Sequence, residues 1–218
     1  MPQGGTQTQQ GCIVTGVTTE LPGRRGGRQR DPATDSAIID AVLDMVAAGA
    51  TLTGLSLVTI AKQAGVSRNS VYRRWKTKDE LYLDVLEAIN KRRPSPTGAD
   101  TRGDLALLLQ ALAERVADKR ASSMLRALNA EAATFPRLHS RYFEEIVTPR
   151  REAMNRVLRR GVERGEIRPD VDPDLISELL VSPLLARMAS GSTDQLDPEQ
   201  ASRRIIDLVL DGAAPAPN

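Results

Sequence analysis

The sequence is poor in the residues that most catalysis and cross-linking require. It has one cysteine, Cys12, and one histidine, His139. A lone cysteine cannot form a disulfide within the chain, which fits a reducing cytoplasm. Nothing basic or resolving sits near Cys12, so a redox-sensing thiol has no local support there. A metal site needs several converging ligands. Glu144 and Glu145 lie at poor helical spacing from His139, so no metal is expected. Aromatics are only 3% of the chain. The core must then come from Leu, Ile, Val and Ala, a composition that favours helices. No run approaches the roughly 20 apolar residues of a membrane span, and the N-terminus lacks the pattern of a signal peptide. There is no Gly-rich phosphate loop, no nucleophile elbow and no His–Cys dyad. The carboxylates scatter along helix faces as solvated charges do. No catalytic residue and no cofactor is expected.

One further absence is local. Between Thr59 and Lys78 there is no acidic residue, while Lys62, Arg68, Arg73, Arg74, Lys76 and Lys78 are all basic. The formal net charge of +2 hides this asymmetry. Residues 1–93 carry 13 basic and 9 acidic side chains, against 17 and 19 in residues 94–218. The N-terminal part is therefore the part that faces a polyanion.

What is present in that stretch is a helix pair. Leu57, Ile60, Ala61 and Ala64 share one face at helical spacing. Gly65 stands where the chain must leave this helix. Ser67 can cap the next one, and Val71 and Trp75, four apart, can anchor it. Arg68, Asn69, Ser70 and Arg73 are then left outside. Tyr72 lies about 100° round the helix from Val71, which suits phosphate contact by its hydroxyl better than burial. Thr77 and Glu80 have capping-box spacing at the start of a further helix. Lys78, a cation in that first turn, calls for an external phosphate. Short apolar helix, glycine turn and basic second helix make a helix-turn-helix reader of DNA. The DNA-facing set is Ser67, Arg68, Asn69, Ser70, Tyr72, Arg73, Arg74, Thr77 and Lys78, with Tyr72, Arg74 and Lys78 assigned to phosphates.

The block Ile60-Ala61-x-x-Ala64-Gly65-Val66-Ser67-x-x-x-Val71-Tyr72-Arg73-Arg74-Trp75-x-x-Lys78-Asp79-x-Leu81 resembles the DNA-binding domain of the TetR family of transcriptional repressors. The likeness runs from about Arg28 to Leu86. Residues 94–218 resemble the family in their all-helical pattern, in Pro149-Arg150-Arg151, and in the exit Gly165-Glu166-Ile167-Arg168-Pro169. The resemblance implies a homodimer on a palindromic double-stranded DNA operator, released when a small-molecule effector enters the C-terminal part. Asn69 lies where family members often carry a small residue, so no base preference carries over.

The expected fold is all-α: an N-terminal helix-turn-helix DNA-binding domain and a C-terminal helical ligand-binding and dimerisation domain. Residues 1–27, rich in Gly, Gln and Thr, read as a disordered tail. They lead to Arg24, Arg25, Arg28 and Arg30, either a solvated linker or an arm that reaches DNA. Residues 28–93 form the DNA-binding domain. The first helix starts at a Thr34 or Asp35 cap. Pro94, Pro96 and Gly98 mark the boundary to residues 94–218. Helices are predicted there at about 101–120, 122–134, 137–164, 173–190 and 197–211, with Pro149 and Pro183 kinking or dividing two of them. The last of these, 197–211, is apolar over more than one face, too much for a single buried stripe. Leu184, Leu185, Met188, Ile205, Leu208 and Val209 are therefore assigned to a four-helix dimer interface. Met124, Leu128, Phe143 and Met154 are placed around an effector pocket opened by the prolines, with ordinary core packing the competing reading. Few aromatics and few polar core candidates favour an apolar or amphipathic effector. A constitutive regulator or an activator remains the alternative to an inducible repressor. An enzyme, or a scaffold that has lost DNA binding, fits the intact basic helix poorly.

Overall fold

The computed structural model describes residues 32–213. Ten α-helices and one π-helical turn make up the regular structure of this region, with no strand among the described residues. Cys12 and the arginines Arg24, Arg25, Arg28 and Arg30 lie outside it.

The N-terminal helices are α1 (Pro32–Ala47), α2 (Leu57–Gln63), α3 (Arg68–Tyr72) and α4 (Lys78–Ala88). α1 begins at Pro32, earlier than a Thr34 or Asp35 cap allows. Asp35 instead sits in its first turn and is used elsewhere, as shown below. α2 is capped by Ser56, whose side chain accepts from the Thr59 N–H while the Thr59 hydroxyl accepts from the Ser56 N–H. Gly65 adopts φ +66°, a left-handed conformation that a side chain would strain.

The linker after α4 is fastened by a buried carboxylate. Asp104 accepts from the N–H groups of Thr97 and Gly98 at 2.6 and 2.8 Å and from Arg160 Nη2 at 3.0 Å. Burial pushes its pKa up, but these bonds outweigh that and hold the carboxyl below its ordinary 3.8.

The remaining helices are α5 (Thr101–Ala117), α6 (Lys119–Ala130), α7 (Pro136–Tyr142), α8 (Thr148–Glu163), α9 (Pro173–Ser190) and α10 (Pro198–Ala213). α5 is the central rod, packed against α6, α8, α9 and α10. Gly161 of α8 makes one of these contacts possible. A Cβ there would stand 2.7 Å from Thr101 Oγ1 and 2.9 Å from Ile167 Cδ1. The predicted helix 137–164 is realised as α7, a π-turn at Phe143–Val147, and α8. The Thr148 N–H donates to the carbonyl of Phe143, five residues back. This wider turn accommodates the ring of Pro149 without a break. α9 likewise runs on through Pro183.

One buried apolar cluster extends from Ile38 of α1 to Leu210 of α10. α1 lies on α6 and α4 on α7, so the N-terminal helices and the rest share this core. Tyr82 of α4 meets Phe135 edge-on at 5.8 Å, at that joint. No helix among the described residues is long and apolar enough to cross a membrane.

Candidate nucleic-acid interface

α3 owes its orientation to two buried anchors and one cap. Val71 and Trp75 are buried, and Trp75 Nε1 donates to Asp84 Oδ2 at 2.7 Å. Ser67 accepts from the Ser70 N–H at 3.1 Å, and the two hydroxyls lie 2.9 Å apart. With that face held inward, Arg68, Asn69, Tyr72 and Arg73 are exposed, Tyr72 to 51%. Lys62, Gln63 and Lys76 are exposed on the flanks. These cations form a surface free of sequence-local acids, suited to a phosphate backbone, with Arg68 and Asn69 at the helix start where side chains reach base edges.

The nine residues expected on DNA separate into three groups. Arg68, Asn69, Tyr72 and Arg73 point outward. Ser67, Ser70 and Thr77 are at the helix starts. Thr77 accepts from the Glu80 N–H at 3.2 Å. The return half of that capping box is displaced by one residue, because Glu80 Oε2 accepts from the Lys76 N–H at 2.7 Å. Arg74 and Lys78 form the third group, and their assignment to phosphates requires correction. The Arg74 side chain is only 8% exposed, and its Nε donates to Asp35 of α1. Its Nη1 donates to the Ser70 carbonyl at 3.1 Å. Lys78 Nζ donates to the carbonyls of Leu52, Thr53 and Leu55 at 3.1, 2.9 and 2.9 Å. An ammonium has three protons, so these carbonyls take what a phosphate would have received.

A residue that holds the same loop escaped the sequence reading. Glu131, the C-cap of α6, accepts from the N–H groups of Leu52 and Thr53 at 2.6 and 2.8 Å and from the Thr53 hydroxyl. Tyr82 adds its hydroxyl to the Leu52 carbonyl at 2.7 Å. The loop between α1 and α2 is thus gripped by α4 and α6 together. Burial raises the Glu131 pKa, but its three bonds and Lys78 bring it below the ordinary 4.5. At the other end of α6, Arg120 pairs with Asp40 and Asp44 of α1 at 2.8 and 2.9 Å. No signal local to Glu131 or Arg120 marks them, since their partners are some 80 residues away.

The residues assigned to an effector pocket divide between core and surface. Met124, Leu128 and Met154 are buried in the shared core, while Phe143 is 41% exposed and stacks on His139 at 4.6 Å. Phe143 faces outward because the π-turn rotates it off the face that Tyr142 and Ile146 bury. A cleft of about 390 Å³ lies elsewhere, on α8 beside Pro96 and Arg156. The interface set also divides. Leu184 and Met188 are buried within the chain, Ile205 and Val209 are half-buried, and Leu185 and Leu208 are exposed. Leu184 and Met188 lie, with Ile176 and Leu180, on the face of α9 that packs against α5, α8 and α10.

Fold and outward face together define a helix-turn-helix DNA-binding protein. Residues 94–209 match the family model described as tetracyclin repressor-like, C-terminal domain, and residues 51–85 match bacterial regulatory proteins, tetR family. The chain belongs to the TetR family of DNA-binding transcriptional regulators. Among solved structures it is similar to NalD of Pseudomonas aeruginosa, the secondary repressor of the MexAB-OprM multidrug efflux pump. That match has 21% identity over 84% of this chain and 98% of NalD, with TM-score 0.68. A putative TetR-family regulator from Mesorhizobium loti MAFF303099 matches at 20% identity, 85% and 98% coverage, and TM-score 0.63. FadR from Bacillus subtilis, solved in complex with stearoyl-CoA, matches at 18%, 81% and 98%, with TM-score 0.63. The sequence matches none of the curated proteins.

Proposed function

We propose that the chain is an effector-responsive repressor that binds a palindromic operator as a homodimer. Residues 28–93 carry DNA binding and residues 94–218 carry regulation and dimerisation. The observation that carries the reading is the exposed face of α3. Arg68 and Asn69 stand at its start, Tyr72 and Arg73 follow, Lys62 and Lys76 are exposed on the flanks, and Arg74 and Lys78 are engaged by Asp35 and by the α1–α2 loop carbonyls. Arg68 reads guanine and Asn69 reads adenine, each contributing about 1–3 kcal/mol of discrimination. Tyr72 and Arg73 hold phosphates. Two copies of α3 must stand about one DNA turn apart, roughly 34–36 Å, to reach both half-sites.

Effector control fits the way α6 is attached. It grips α1 at one end and the α1–α2 loop at the other, so a shift of α6 moves the DNA-reading helices. An effector releases the operator only by preferring one spacing of the two α3 helices over another. NalD is a repressor and FadR was solved with an acyl-CoA, which is in keeping with this reading.

Selection of bound fragments from random duplex DNA, followed by anisotropy on the selected site, is the test. We expect a two-fold symmetric site, and loss of base preference at one position per half-site in Asn69→Ala. A selected site without two-fold symmetry, or no selection over random DNA, rejects the proposal.

A further inference from the structure

The cleft on α8 joins three guanidiniums to an apolar wall. It holds about 390 Å³ between α8 and Pro96 of the linker, a volume within the range of small-molecule sites. The apolar wall is Val157, 1% exposed, with Ala153 one turn before it and Pro96 from the linker. Arg156 and Arg160 stand one turn apart on the same side of α8, with Arg159 beside them, and all three line the cleft.

The three arginines are not equivalent. Arg160 is fixed from behind, because its Nη2 donates to the buried Asp104 at 3.0 Å. The linker backbone closes on the same group, since a Cβ at Gly98 would stand 3.0 Å from Arg160 Nη1. Arg156 has only Glu152, 3.9 Å away on the same helix, with both side chains 64% exposed. Arg159 has no ion pair among the described residues. One acid, Glu163, lines the cleft, and it has none either.

Positive charge is thus in excess beside an apolar wall. A solvated helix ridge would carry similar charges, but it would neither enclose Val157 and Pro96 nor hold one guanidinium on a buried carboxylate. Planar guanidiniums match the oxygens of a phosphate, which offers three acceptors and so can bridge several arginines. We propose that the cleft binds a phosphate monoester carrying a small apolar group. Arg156 and Arg159 take the phosphate, Arg160 is the fixed donor at its edge, and the apolar group lies against Val157, Ala153 and Pro96. Glu163 opposes the anion. This binding does not depend on the repressor reading above.

The full chain is titrated calorimetrically at fixed ionic strength and about pH 7.5, where a phosphate monoester is close to a dianion. The probes are phenyl phosphate, inorganic phosphate and phenol. Phenyl phosphate should bind saturably, inorganic phosphate about tenfold more weakly for want of the apolar group, and phenol not at all. Arg156→Gln and Arg159→Gln should each weaken phenyl phosphate about tenfold with Tm unchanged, because both side chains are exposed. Arg137→Gln on α7, the same loss of charge at another exposed site, should leave the affinity as it is. Glu163→Gln should tighten binding. Ala153→Phe keeps every charge and fills the cleft, so it should abolish binding; the arginine variants carry the test should it misfold. No saturable binding of phenyl phosphate overturns the proposal. So do equal affinity for inorganic phosphate, and an Arg137→Gln loss as large as that of Arg159→Gln, since either makes this a general response to anions.

Discussion

Arg73 and Arg74 are neighbours in sequence with opposite tasks. Arg73 is exposed on α3, whereas Arg74 turns inward to Asp35 and the Ser70 carbonyl. Their alanine variants should separate cleanly. Arg73→Ala should lower the salt slope of operator binding by about 0.9, the value for one phosphate contact, with unfolding unchanged. Arg74→Ala should destabilise the fold by about 1.5 kcal/mol, the lower end for a charge-assisted bond because Asp35 is partly exposed, and leave the slope intact. Lys78→Ala belongs with Arg74. Its ammonium holds three loop carbonyls, so the variant should lower Tm without changing the slope. Salt titrations of binding and urea unfolding of the three variants check this division. A slope change in Lys78→Ala equal to that of Arg73→Ala would return Lys78 to the phosphates.

At the scale of elements, α6 and α8 are held by contacts that tolerate little change. Gly161→Ala places a methyl against Thr101 and Ile167. Overpacking of this kind costs about 1–3 kcal/mol, so its urea midpoint should fall, and an unchanged midpoint would show that α5 and α8 can part freely. The carboxylates Asp104 and Glu131 give a pH signature. Each has a folded pKa below its ordinary value. A depressed carboxylate pKa contributes stability above the unfolded value, and that contribution is lost as pH falls through the folded value. Stability should therefore decline as pH drops below about 4.5, through protonation of Glu131 on the α1–α2 loop and of Asp104 on the linker. Asp104→Asn should flatten the decline and lower stability at pH 7. Urea unfolding between about pH 3 and pH 7 measures both effects, and a wild-type curve parallel to that of Asp104→Asn would contradict the assignment.

For the whole molecule, the surface of the last two long helices matters most. Leu175, Leu179 and Leu185 of α9 and Leu208 of α10 are exposed, Leu208 to 78%. Exposed apolar side chains of this kind suit the two-fold interface of the proposed homodimer. The free wild-type protein should sediment as a dimer at micromolar concentration. Leu179→Glu and Leu185→Glu should sediment as folded monomers, because neither residue supports the chain's own core. Leu184→Glu, by contrast, should unfold the protein, since Leu184 is fully buried. A dimer that survives both exposed-site substitutions would place the interface elsewhere.

Local physics made much of this legible from residue order alone. The caps at Ser67 and Thr77, the left-handed turn at Gly65 and the anchors Val71 and Trp75 depend on neighbours within a helical turn or two. Helical periodicity therefore placed α2, α3 and α4, and the acid-free run marked the face for DNA. Pairings across the fold were another matter. Arg74 finds Asp35 39 residues away, Lys78 finds Leu52 at 26, and Leu52 finds Glu131 at 79. No spacing rule reaches that far, because such partners meet only after the helices pack. The same limit decided Leu184 against Leu185. α9 is apolar around its circumference, so its own sequence does not choose an inward face. Contact with α5, α8 and α10 chose it, burying Leu184 and leaving Leu185 outside, where a second chain can reach it.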